Sequence, residues 1–221
     1  MVPVSPAIPS RAGDPVALPE QRFETGEPRH RPPRSGLRDL LRARTADQHA
    51  ALEATSLMRA FAAGTGDLGY AREYLSRQYR IHHACETKLA RVLPPELAVA
   101  RLAKCDWLAD DLQRLDGRPD GRAVAVPAVG NWASALGMLY VIEGSTLGLQ
   151  KIRRDHAAAG STGWVASSRF VRGYGDATAA RWREFLRLVE ALPPERWPDA
   201  VAAAAGTFAA FLDAFQEVND D

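Results

Sequence analysis

LGMLYVIEGSTLGLQ, residues Leu136 to Gln150, lies inside a proline-free run from Gly130 to Lys151 whose apolar residues describe a buried helix. Glycine in a helix interior costs about 1 kcal/mol relative to alanine, so Gly137, Gly144 and Gly148 need a reason. They stand seven and then four residues apart, and at roughly 100° per residue they fall within about 40° of one another on the helix surface. One face of the helix is therefore bare backbone. Such a face is stable when something presses closely on it, because an unfilled groove forfeits contacts. Two occupants meet that condition, a crossing helix or a flat ligand, and the spacing does not choose between them.

Working outward, helical patterns fill most of the chain. LRDLLRARTADQHAALE, behind Ser35-Gly36, predicts a first helix running to about Met58, with Ser35 as its cap. Asp67 opens a second over LGYAREYLSRQYRIHHACETKLARV, which Pro94-Pro95 closes, and a third runs from Glu96 to about Asp116. DGRPDGRAVAVPAVG is rich in turn residues and predicts a loop. The glycine-striped helix follows and ends near Gly160; GSTGWVASSRFVRGYGD is irregular or a short helix, and two helices at about 176–192 and 196–218 flank Pro193-Pro194. No segment alternates in the manner of a strand, so the fold class is all-α, with six to eight helices.

Composition limits the function classes. A chain of 221 residues with 46% hydrophobic content is long enough for one domain with a sizeable core. Lys plus Arg (28) nearly balances Asp plus Glu (27), which leaves no global field for nucleic acid or an anionic membrane. Cys85 and Cys105 form neither a disulfide framework nor a zinc pattern. Residues 1–34 hold 8 of the 15 prolines and no sustained apolar period, and are expected to be a flexible tail. Without a secretory core or an apolar run of spanning length, the expectation is a soluble cytoplasmic protein.

In the first helix Leu41, Thr45, His49, Leu52 and Ser56 follow helical spacing along one side, so His49 is expected to project toward the core. Arg42 lies seven residues before it on nearly the same face, and Glu53 one turn after. A lone histidine on such a stripe is more often a hydrogen-bonded core residue than a ligand. Beside a helix of bare backbone, however, imidazole and arginine suit a flat, anionic, metal-centred group such as haem, with imidazole on the iron and arginine on a propionate.

These residues resemble a known family. LRARTADQHAALE (Leu41 to Glu53) resembles the proximal-helix signature of haem oxygenases. LGMLYVIEGSTLGLQ is similar to the distal helix of the bacterial members, including those associated with bacteriophytochromes, and AAGTFAAFLDAF (Ala204 to Phe215) resembles the final helix. The resemblance implies a haem-oxygenase-like multi-helical single domain over residues 35–221. It implies that His49 ligates the iron, that Arg42, Glu53, Leu149, Arg183 and Arg187 contact the haem, and that Gly144, Ser145 and Gly148 form the catalytic distal surface. Two positions depart from the usual pattern. Ser145 stands where many members carry an aspartate that organises water, although the bacterial subgroup shares the serine. Leu149 replaces a further glycine, and helix geometry turns it about 100° from Gly148, toward the haem edge or a neighbouring helix.

The activity implied is oxidative cleavage of haem to biliverdin, iron and carbon monoxide, using O2 and electrons from a reductase or ferredoxin, with a bacteriophytochrome as a candidate biliverdin acceptor. Three other readings compete: a haem-binding module without turnover, a non-haem di-iron oxygenase of the same fold, and a helical interaction protein. His82, His83 and Glu86 form a candidate metal patch that reads more naturally as a surface face. Lys151, Arg153, Arg154 and His156 form a candidate docking patch for an acidic electron donor.

Overall fold

Asp67 accepts a hydrogen bond from the Tyr70 backbone N–H at 2.9 Å, and Asn131 and Ser134 exchange side-chain and backbone bonds as a capping box. Those two caps start the two longest helices. The computed structural model describes residues 36–160 and 163–216, which form part of one compact unit. Among them the α-helices are α1 (Leu37–Glu53), α2 (Ser56–Ala63), α3 (Leu68–Leu89), α4 (Pro95–Arg101), α5 (Lys104–Arg114), α6 (Trp132–Ala158), α7 (Trp164–Ser167), α8 (Arg169–Arg172), α9 (Thr178–Glu190) and α10 (Trp197–Gln216). No strand occurs among the described residues, so the fold is all-α. The expectations for the tail and for Ser35 lie outside them.

Two expected helices are each broken in two. The first ends at Glu53 rather than near Met58, because Thr55 turns extended and caps α2, accepting from Met58 N–H at 3.3 Å. The third breaks at Leu102-Ala103, where the Glu86 carboxylate of α3 accepts from the Lys104 backbone N–H at 2.9 Å and caps α5 from outside. Both breaks replace an intrahelical bond with another partner, as a helix end requires.

The hydrophobic α10 is the platform. Its face of Ala200, Ala204, Phe208, Phe211 and Phe215 is buried. A Cβ at Gly137 would collide with the Ala200 carbonyl, so this glycine exists to let α6 cross α10 at backbone contact. On another side of α10, Gln48 of α1 donates to the Ala205 carbonyl at 3.2 Å. Glu190 at the end of α9 accepts from the Arg38 N–H at 3.2 Å and caps α1 in place of a local side chain. Helices α1 and α6 are thereby packed on α10, and α9 is tied to both of them.

Candidate functional site

The glycine stripe of α6 divides into two parts. Gly137 is filled by α10, whereas a Cβ at Gly144 would touch only the Trp182 ring at 3.6 Å, and one at Gly148 would meet nothing within 4 Å. The crossing-helix reading thus accounts for Gly137 and leaves Gly144 and Gly148 unexplained by packing. Trp182 of α9 also stacks obliquely on Tyr140, with ring centroids 5.7 Å apart, and the charges of Arg38 and Arg42 reach the Tyr140 hydroxyl from α1. Burial pushes that hydroxyl's pKa up, and the two arginines pull it back. Arg42, Tyr140, Trp182 and Gly144 therefore belong to one neighbourhood built by α1, α6 and α9.

His49 does not project into the core. Leu37, Leu41 and Thr45 carry the buried stripe of α1, while the His49 side chain is 58% exposed. The chain leaves α1 after Glu53, where Thr55 starts α2, and the buried stripe ends one turn earlier than the spacing predicted. The imidazole rests edge-on against Phe208 of α10, centroids 5.7 Å apart, and its Nδ1 is 3.6 Å from Glu53 Oε2. The carboxylate lies beyond hydrogen-bond distance, so the edge-on contact with Phe208 is what seats the ring.

Arg42, Arg183 and Arg187 are exposed. Ser145 is half-buried, and its hydroxyl donates to the Ile142 carbonyl at 2.9 Å; its proton is engaged, so toward any neighbour it offers an acceptor. Leu149 is buried in the core. Of the two directions that helix geometry allowed it, the structure takes the one toward neighbouring helices.

Two other patches change character. His82 is fully buried between Phe170 and Phe211, with no hydrogen-bond partner at either ring nitrogen, which overturns its assignment to a surface face. Burial, and then the charge of Lys104, hold its pKa well below the ordinary value. No group of three or more His, Cys, Asp or Glu side chains able to hold a metal occurs among the described residues. In the basic cluster His156 is buried against the Ala62 carbonyl and Lys151 pairs with Asp155 at 2.6 Å, so the four residues do not form one cationic surface. No described helix is long and apolar enough to cross a membrane.

Sequence reasoning missed Glu143, a buried carboxylate immediately before Gly144. The available signal was a lone acid in the apolar run LGMLYVIEG, since an unpaired charge does not survive such burial.

The sequence profile of haem oxygenases matches residues 35–217. No curated protein sequence matches the chain significantly. Among solved structures, the NO- and CO-bound haem oxygenase of Neisseria meningitidis superposes with a TM-score of 0.64 at 22% identity, covering 84% of this chain and 95% of the other. The haem oxygenase of Leptospira interrogans gives 0.62 at 16% identity, covering 83% and 100%. The haem complex of a haem oxygenase from the cyanobacterium Synechocystis gives 0.62 at 17%, covering 84% and 93%.

Proposed function

The chain belongs to the haem oxygenase family, and from that premise we propose that it opens the haem ring, that His49 would hold the iron and that the Gly144–Gly148 backbone would line the ring. The observation that carries the reading is the glycine face itself: at Gly148 no protein atom lies where a Cβ would stand, so packing gives no reason for the cost of glycine there. The side chains around it fit haem. Neutral imidazole is an iron ligand, and arginine pairs with carboxylates in a planar fork.

Bound haem would be both the substrate and the group that supplies O2 chemistry, and its cleavage to biliverdin, iron and carbon monoxide would require electrons from a reductase or ferredoxin. The chain's own part is positional. Glu53, 3.6 Å from His49 Nδ1, would favour an orientation in which Nε2 is left for the iron. Arg42, with Arg183 and Arg187 from α9, neutralises the propionates. Gly144 and Gly148 let the backbone approach the ring face and restrict which edge is reached. Ser145, whose proton is committed to Ile142, accepts a hydrogen bond from water and so helps order solvent on that face. Leu149 acts from the core, holding α6 rather than touching the ring.

The domain responsible spans residues 35–221, acts in the cytoplasm, and supplies biliverdin to an acceptor such as a bacteriophytochrome. Turnover is tested by reconstituting the chain with one equivalent of haem and adding reductant in air. Loss of the Soret band with growth of a red biliverdin absorbance is expected; a stable haem spectrum would instead assign a binding module.

A further inference from the structure

The side of α6 turned away from the glycine face carries a buried ionic cluster. Glu143 is 1% exposed. One carboxylate oxygen accepts from Lys104 Nζ at 2.5 Å and from the Tyr174 hydroxyl at 3.0 Å, and the other accepts from Arg101 Nη1 at 2.9 Å. Arg101 and Lys104 are themselves buried. Arg101 also donates to the Arg181 carbonyl at 3.1 Å and pairs with Glu184 at 3.3 Å, both on α9. Burial works against the Glu143 charge, but Lys104 and then Arg101 outweigh it and hold the carboxyl below its usual range. Lys104 is held above its own, the attraction of Glu143 overcoming burial.

Such a cluster is a weak source of net stability, because desolvation consumes much of the Coulomb gain. What three charge-assisted or hydroxyl bonds to one carboxylate do fix is distance and direction. Glu143 thereby locks α6 to the end of α4, the start of α5 and the turn at Tyr174, and Arg101 extends the lock to α9, whose Trp182 ring lies 3.6 Å from where a Cβ on Gly144 would stand. Gly144 is the next residue, about 1.5 Å along the axis and about 100° round it. A glycine face has no side chain to absorb a displacement, so any shift of α6 moves the surface of the cleft by the same amount.

Resting on the haem oxygenase reading above, we propose that Glu143 is a positioning residue: tied to Arg101, Lys104 and Tyr174, it sets where the Gly144–Gly148 backbone stands over the haem and hence which ring-edge carbon is opened.

Glu143→Gln keeps the shape and removes the charge. In the haem-free protein, hydrogen exchange at the backbone amides of residues 141–148 is expected to quicken about tenfold, a loss of about 1.4 kcal/mol of local protection, while α1 is unchanged. In the reconstituted protein haem uptake is expected to be retained, the C–O stretching band of the carbonyl complex to split or broaden relative to wild type, and the biliverdin isomer composition to shift from that of wild type. Tyr174→Phe, which removes one bond and keeps the ring, moves the same readouts in the same direction by less, and serves if Glu143→Gln fails to fold. Wild-type exchange, band shape and isomer composition in both variants would overturn the proposal. If the wild-type chain takes up no haem, the family reading of the site fails with the positioning role, whereas the exchange data still report whether Glu143 holds α6.

Discussion

Gly137 and Gly148 lie on one helix, about 20° apart around its axis, yet one is pressed against the Ala200 carbonyl and the other faces nothing within 4 Å. The first half of α6 is a buried strut; the second half is a surface of backbone held from behind by Glu143. Identical residues in one periodic pattern thus serve opposite ends, packing in one case and access in the other. A glycine stripe reports that something needs the backbone, and the neighbouring elements decide what.

That contrast can be broken by substitution, beginning with the largest effect. Gly137→Val drives a branched side chain into the α10 backbone and is expected to destabilise the fold by about 3 kcal/mol, measured by denaturant unfolding; a loss below about 1 kcal/mol would mean that α6 and α10 can separate cheaply. Gly148→Val is expected to leave haem-free stability within about 0.5 kcal/mol while reducing haem turnover at least tenfold, about 1.4 kcal/mol. Wild-type turnover in that variant would remove Gly148 from the cleft.

The histidines repeat the contrast between a buried back and an open front. His82 is enclosed without partners, with its pKa depressed in the folded protein, so below about pH 6.5 the unfolded chain takes up a proton that the native state does not. Stability from this group is therefore complete above that pH and falls as the pH drops, by up to about 1.4 kcal/mol per pH unit. His82→Leu is expected to flatten unfolding free energy measured between pH 6.5 and pH 5; an unchanged slope would assign the acid sensitivity elsewhere. The smallest effect is Gly148→Ala, which gains helix propensity and meets no atom, and should stabilise the haem-free protein by about 0.5 to 1 kcal/mol in thermal unfolding. The same change at Gly137 should destabilise.

Much of the fold was legible because local chemistry decides it. Asp67 caps α3, the Pro94-Pro95 and Pro193-Pro194 pairs separate helices, and apolar periodicity marks α6 and α10. The breaks at Thr55 and at Leu102-Ala103 were not, since the second depends on a carboxylate eighteen residues away in the chain, Glu86 capping Lys104. The site was legible in its residue types more than in its geometry. Spacing put His49 in the core, whereas it lies at the surface with its ring edge-on to Phe208. The Glu143 cluster gathers residues from Arg101 to Tyr174, and no local pattern announces such a meeting.

The central claim, that α1 and the open half of α6 bind haem between them, is tested most directly by titrating the chain with haem and following the visible spectrum beside His49→Ala and Gly148→Val. The account predicts one-to-one uptake with a histidine-ligated spectrum in the wild type, loss of that ligation in His49→Ala, and weakened uptake in Gly148→Val. A wild-type spectrum in His49→Ala, with full uptake in Gly148→Val, would contradict it and place the haem elsewhere.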